Sequence, residues 1–92
     1  MRITAFVRGH VQGVGFRWWT RARALELGLR GSARNTADRR VEVVLQGPPD
    51  AFDRLLELLV EQPSTQGRPG RVDGVAHQRL PLLDLPPGFV ER

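Results

Sequence analysis

The chain has no cysteine, no lysine and no tyrosine, and only two histidines in 92 residues. Without cysteine there are no disulfide staples, thiol nucleophiles, iron–sulfur ligands or cysteine zinc sites. His10 and His77 stand far apart and lack ligand spacing, so no dedicated metal site is expected. No apolar run approaches the length of a membrane span, and Ile3–Val7, interrupted by Thr4, is too short for a secretory leader. These absences predict a single domain over residues 1–92, a cytoplasmic monomer held together by packing alone. What is present on the basic side is arginine alone: 14 against 10 acidic residues, for a net charge of +4. Such a balance suits anionic ligands in general and does not single out nucleic acid. A lysine-free composition rich in Arg, Gly and Pro is also what biased coding produces.

Patterning divides the chain into six main elements. Ile3, Ala5 and Val7 alternate through a first strand ending at Gly9. A glycine-bearing loop leads into a helix over Phe16–Leu27, closed by Gly28. Its buried stripe is ambiguous, because Phe16, Thr20, Ala24 and Leu27 compete with Trp18, Ala22 and Leu25. One of Trp18 and Trp19 is expected to pack on the sheet, and the pattern does not say which. Leu29–Asn35 is a weak strand, Thr36–Arg39 a turn, and Val41–Gln46 a clear strand. Gly47-Pro48-Pro49-Asp50 then announces a helix whose apolar positions are Phe52, Leu55, Leu56, Leu59 and Val60, ended by Pro63. Gln62–Gly70 reads as loop and Val72–Arg79 as a fourth strand. Pro81, Pro86 and Pro87 disrupt the stretch after that strand, and Phe89-Val90 makes a short last one. Two βαβ halves in this order predict an α+β, ferredoxin-like βαββαβ sandwich, an antiparallel sheet with two helices on one face.

The chemistry concentrates between the first strand and the first helix. Glycines in Gly9-His10-Val11-Gln12-Gly13-Val14-Gly15 permit backbone with φ > 0, so that successive N–H groups converge on one point. The helix starting near Phe16 adds its own unsatisfied N–H groups and the positive end of its dipole. A phosphoryl group fits such a concavity. Arg17, in the first turn, sits where the dipole disfavours a cation by a few tenths of a kcal/mol, which points to an anion partner. Its planar fork can close over that anion.

Val11-Gln12-Gly13-Val14-Gly15-Phe16-Arg17 resembles the acylphosphatase signature V-Q-G-V-x-F-R. The second motif of that family, G-W-V-x-N, is matched in part by Gly31-Ser32-Ala33-Arg34-Asn35, and Val41-Glu42 and Gly47-Pro48 also fall in place. The resemblance runs over about residues 3–62 and thins afterwards. It implies a ferredoxin-like fold and hydrolysis of small-molecule acyl phosphates to a carboxylate and inorganic phosphate. It also implies site roles. His10, Val11, Gln12, Gly13, Val14, Gly15, Phe16 and Arg17 would form the phosphate cradle, Arg17 binding the phosphoryl oxygens and Asn35 orienting the attacking water. No metal, cofactor or covalent intermediate is implied. His10 reads as a neutral loop residue rather than a base.

Three departures from the family pattern stand out. Ser32-Ala33 replaces Trp-Val, so the second strand should hold Asn35 less firmly. Asp38-Arg39 replaces Asp-Gly, so a different or longer turn is expected. Residues 63–70 are irregular for the family. The alternative reading is a non-catalytic phosphate-binding or interaction domain on the same fold. An RNA-recognition domain fits poorly, because the first strand offers only Phe6 and Val41–Gln46 no aromatic for base stacking. Neither a nucleic-acid nor a membrane partner is expected.

Overall fold

The computed structural model describes residues 2–61, 64–80 and 88–92. Its elements are β1 (Arg2–His10), α1 (Phe16–Glu26), β2 (Arg30–Asn35), β3 (Val41–Gln46), α2 (Pro49–Val60), β4 (Arg71–Leu80) and β5 (Phe89–Glu91). The sheet order is β4-β1-β3-β2-β5. The first four strands form the expected antiparallel sheet, with β1 and β3 at its centre. One feature of the expected fold needs correction: β5 pairs parallel to β2, through Gly31–Phe89, Ser32–Val90 and Ala33–Glu91, so the sheet is mixed. The chain direction explains this, since β4 runs opposite to β1 and the returning β5 must run with β1 and β2. The breaks expected at Pro63, Pro81, Pro86 and Pro87 lie outside the described residues.

The core is one layer deep. Ile3, Ala5 and Val7 of β1 pair with Leu45, Val43 and Val41 of β3, and all six are buried on the face that carries both helices. Phe16, Trp19 and Ala24 of α1 and Phe52, Leu55, Leu58 and Leu59 of α2 close over them. Each large side chain so buried contributes about 1.5–3 kcal/mol. Between the two stripes read for α1, the structure selects Phe16, Thr20 and Ala24, with Leu27 partly buried. Trp19 is the packed tryptophan, stacked on Phe16 at 6.1 Å, whereas Trp18 is 63% exposed. In α2 the buried face is rotated from the expected one. Leu58 is buried and Val60 is half exposed, because the helix leans on the sheet through Ala51, Leu55 and Leu58.

The irregular segment after α2 has a defined job. Arg68 folds back and its Nη1 donates to the carbonyls of Leu58, Leu59 and Glu61 at 2.9–3.0 Å, capping a helix that has no basic residue in its last turn. Ser64 Oγ accepts the N–H groups of Gln66 and Arg68 and fixes the bend.

Candidate active site

A bulge between Arg8 and Gly9 shifts the register of β1 against β4, and pairing continues through Gly9–Val72 and His10–Arg71 before the chain enters the loop 11–15. Val11 and Phe16 are buried at the two ends of that loop and anchor it in the core. Between them Gly13 (φ 74°) and Gly15 (φ 85°) are left-handed and exposed. A Cβ at either would meet nothing within 4 Å, so it is the backbone conformation and not crowding that calls for glycine. Open space therefore lies over the loop.

Gly15 is the N-cap of α1 and supplies no side-chain cap, and the first turn contains no acidic residue. The first i→i−4 bond is the Trp19 N–H to the Gly15 carbonyl, at 3.0 Å. The N–H groups of Phe16, Arg17 and Trp18 precede it and have no intrahelical partner. Amide donors left without an intrahelical partner at the positive end of a helix dipole are suited to an anion.

Two ties bring Asn35 to this loop. The Gln12 side-chain amide donates to the carbonyls of Thr36 (3.0 Å) and Arg40 (2.9 Å), clamping the loop to the β2–β3 hairpin. Arg17 Nη1 donates to the Arg92 carbonyl, and the Arg92 N–H donates to the Ala33 carbonyl at 2.8 Å. Ala33 and Asn35 share the helix-side face of β2, with Ala33 fully buried and Asn35 exposed at the strand's end. Arg34 points to the opposite face, where it forms a two-pronged pair with Glu42 at 2.8 and 3.2 Å. It is no part of the site.

His10, the strand β2 and the β2–β3 hairpin each bear on an expectation. His10 is the last residue of β1, paired with Arg71, rather than the first residue of the loop, and its side chain lines a neighbouring cleft. The strand carrying Asn35 keeps register with β3 from Arg30 to Asn35, and β5 pairs with its other edge over Gly31–Ala33 only. The hairpin closes over three residues, Ala37, Asp38 and Arg39, rather than two. The Arg39 N–H returns to the Thr36 carbonyl and the Thr36 N–H to the Arg40 carbonyl, a tight turn in which Arg39 itself takes φ 68°. An L-residue in that conformation costs about 1–2 kcal/mol. In the same turn Asp38 accepts from the Thr36 hydroxyl and from Arg40 Nε, and these bonds hold its carboxyl below the usual aspartate range. The clamping role of Gln12's side chain was missed from the sequence, which marked only its backbone.

The acylphosphatase family model matches residues 3–89. The chain belongs to the acylphosphatase family. Among curated members, it is 58% identical over 91 residues to an acylphosphatase of Mycobacterium avium (strain 104), covering 99% of this chain and 94% of that protein. It is 62% identical over 92 residues to one of Corynebacterium efficiens, covering 100% and 92%. The structure of an acylphosphatase from Coxiella burnetii superposes with a TM-score of 0.85 at 33% identity, over 99% of this chain and 90% of that one.

Proposed function

We infer that this chain is an acylphosphatase: it hydrolyses the carboxyl–phosphate bond of small acyl phosphates to a carboxylate and inorganic phosphate. The observation that carries the reading is the uncapped start of α1, fronted by left-handed Gly13 and Gly15 and bearing Arg17 in its first turn, within a member of this family. The backbone N–H groups of residues 11–17 hold the phosphoryl oxygens, and Arg17 adds a charged donor to them. Asn35 orients the water. Water oxygen bonds to phosphorus, the bond from phosphorus to the acyl oxygen breaks, and its electron pair leaves on the carboxylate. The water proton passes to a phosphoryl oxygen. A carboxylate leaves with little protonation, so positioning and stabilisation of the equatorial oxygens supply most of the catalysis.

Loop, arginine and asparagine belong to one chain, which supports action as a monomer. The described residues share one core, which supports a single domain over 1–92. No described helix is long and apolar enough to cross a membrane. A cysteine-free chain suits the cytoplasmic location we propose. The test is phosphate release from benzoyl phosphate by the folded protein. Turnover inhibited competitively by inorganic phosphate is expected; a folded protein that binds phosphate and releases none would establish a binding domain instead.

A further inference from the structure

The second apolar stripe of α1, formed by Trp18, Ala22 and Leu25, faces away from the core that the first stripe enters. Trp18 stays 63% exposed and Leu25 41%, although burial would favour both. The two adjacent tryptophans show the difference. Trp19 stacks on Phe16 and its indole N–H donates to the Gln66 carbonyl at 2.8 Å. Among the described residues the Trp18 ring stacks on no other ring and its indole N–H meets no acceptor. Trp18 also follows Arg17 directly, and its backbone N–H is the last of the three that precede the first intrahelical bond. Side chains of a helix lean toward its N-terminus, over the turn before their own Cα. The Trp18 indole therefore leans toward the end of α1 at which Gly13 and Gly15 leave open space.

Attacking and leaving oxygens lie roughly in line through phosphorus, so water and acyl group occupy opposite sides of it. Asn35 belongs to the sheet, on the helix-side face of β2, and the water it orients comes from that side. At 3.6 residues per turn Trp18 lies about 200° round the helix from both Phe16 and Thr20, which α1 buries against the sheet. Water brought from the sheet sends the carboxylate out on the other side, where Trp18 stands. We propose that the Trp18 indole receives the acyl half of the substrate, and that aromatic acyl phosphates are the class it favours. Their ring lies against the indole while the amides beside it hold the phosphoryl group. Trp18 is then a specificity-determining residue. Leu25, about 10 Å further along the same face, is too far from the reacting bond to share the role. The inference rests on the activity proposed above and adds to it the class of acyl group.

The experiment measures benzoyl phosphate and acetyl phosphate side by side. Their intrinsic reactivities differ, so each variant is compared with the wild type on the same substrate. Trp18 is exposed and alanine favours a helix, so Trp18→Ala should fold. It should raise KM for benzoyl phosphate by about three- to tenfold, the range of an aromatic pair, with kcat within about twofold. KM for acetyl phosphate and the inhibition constant of inorganic phosphate should stay within about twofold, because neither molecule carries a ring to lay on the indole. Trp18→Phe should keep most of the affinity for the benzoyl substrate, and Leu25→Ala should leave both substrates unchanged. Equal losses on the two substrates in Trp18→Ala, or no loss on either, would overturn the assignment. Either result, with the wild type releasing phosphate from both substrates, leaves the proposed activity standing. Absence of any turnover by the folded wild type removes both.

Discussion

The two helices begin in opposite ways. α2 starts on Pro48 and Pro49, which lack the N–H groups that a helix start leaves unsatisfied, and it places Asp50 in its first turn beside the positive end of the dipole. α1 starts on a bare glycine with no acidic residue in its first turn, and puts Arg17 where a cation is disfavoured. Neither start has a side-chain cap, but α2 has fewer free N–H groups and an acidic residue beside them, and α1 has neither. The same contrast runs along their lengths. α2 commits Ala51, Phe52, Leu55, Leu58 and Leu59 to the core, whereas α1 commits fewer and turns arginines outward. Those arginines organise the neighbouring chain: Arg21 Nε donates to the Phe89 carbonyl at 3.1 Å and Arg17 to that of Arg92. A helix with this start is what the proposed phosphate site calls for.

Removing Arg17 attacks this contrast at its strongest point. Arg17→Ala should lower kcat for benzoyl phosphate by about 10²–10³-fold or more, as loss of a preorganised donor does. Arg17→Lys should recover little, because an ammonium does not reproduce the planar fork. Asn35→Ala should cost on the order of 10²-fold in kcat through lost positioning, with inhibition by phosphate nearly unchanged. If phosphate affinity fell in step with kcat, the separation of binding from water orientation would be wrong. Giving α1 the kind of first turn that α2 has is a milder change. Trp18 is exposed there, and Trp18→Glu should raise the phosphate inhibition constant several-fold while raising Tm by about 2–5 °C. A gain in stability without a loss of phosphate affinity would show that the dipole end is not the anion site. The reciprocal change, Asp50→Asn, should cost α2 about 0.3–1 kcal/mol in thermal melts and leave the kinetics untouched.

The smallest effect lies at the far end of α2. Glu61 accepts the N–H and the hydroxyl of Thr65, both at 2.7 Å, and these bonds hold its carboxyl below the usual glutamate value of 4.5. Its folded-state pKa is thus lower than its unfolded one. The stability it adds is present in full above the unfolded value and is lost as pH falls through the folded one. A slight Tm deficit of Glu61→Gln at neutral pH should therefore shrink as pH falls below the unfolded value and vanish below the folded one. A deficit independent of pH would assign it to packing instead.

Much of this was legible in the sequence. Period-two alternation located β1 and β3, and the turn chemistry at Gly47-Pro48-Pro49 located the start of α2. The loop glycines and Arg17 are the residues from which we propose the anion site, because glycine allows the left-handed loop and an arginine in a first turn is disfavoured without an anion. Other features were not legible, for identifiable reasons. In α1 two apolar stripes interleave, and the choice of Trp19 over Trp18 is made by tertiary contacts: stacking on Phe16 and the indole N–H donating to the Gln66 carbonyl at 2.8 Å. The cap on α2 comes from Arg68, which lies within the loop after the helix and reaches back. The parallel pairing of β5 depends on which sheet edge the chain returns to, and three residues are too short for a pattern to show it. The cleft lined by His10 gathers side chains from β1, the β2–β3 turn and β4, so no local motif announces it.

The most direct test is to titrate isotopically labelled protein with inorganic phosphate and follow the backbone amides by NMR. Saturating shifts centred on Gly13, Val14, Gly15, Phe16 and Arg17, with a dissociation constant equal to the inhibition constant, are the predicted result. If phosphate inhibits turnover while those amides stay still and the shifts appear elsewhere, the start of α1 is not where the phosphoryl group binds.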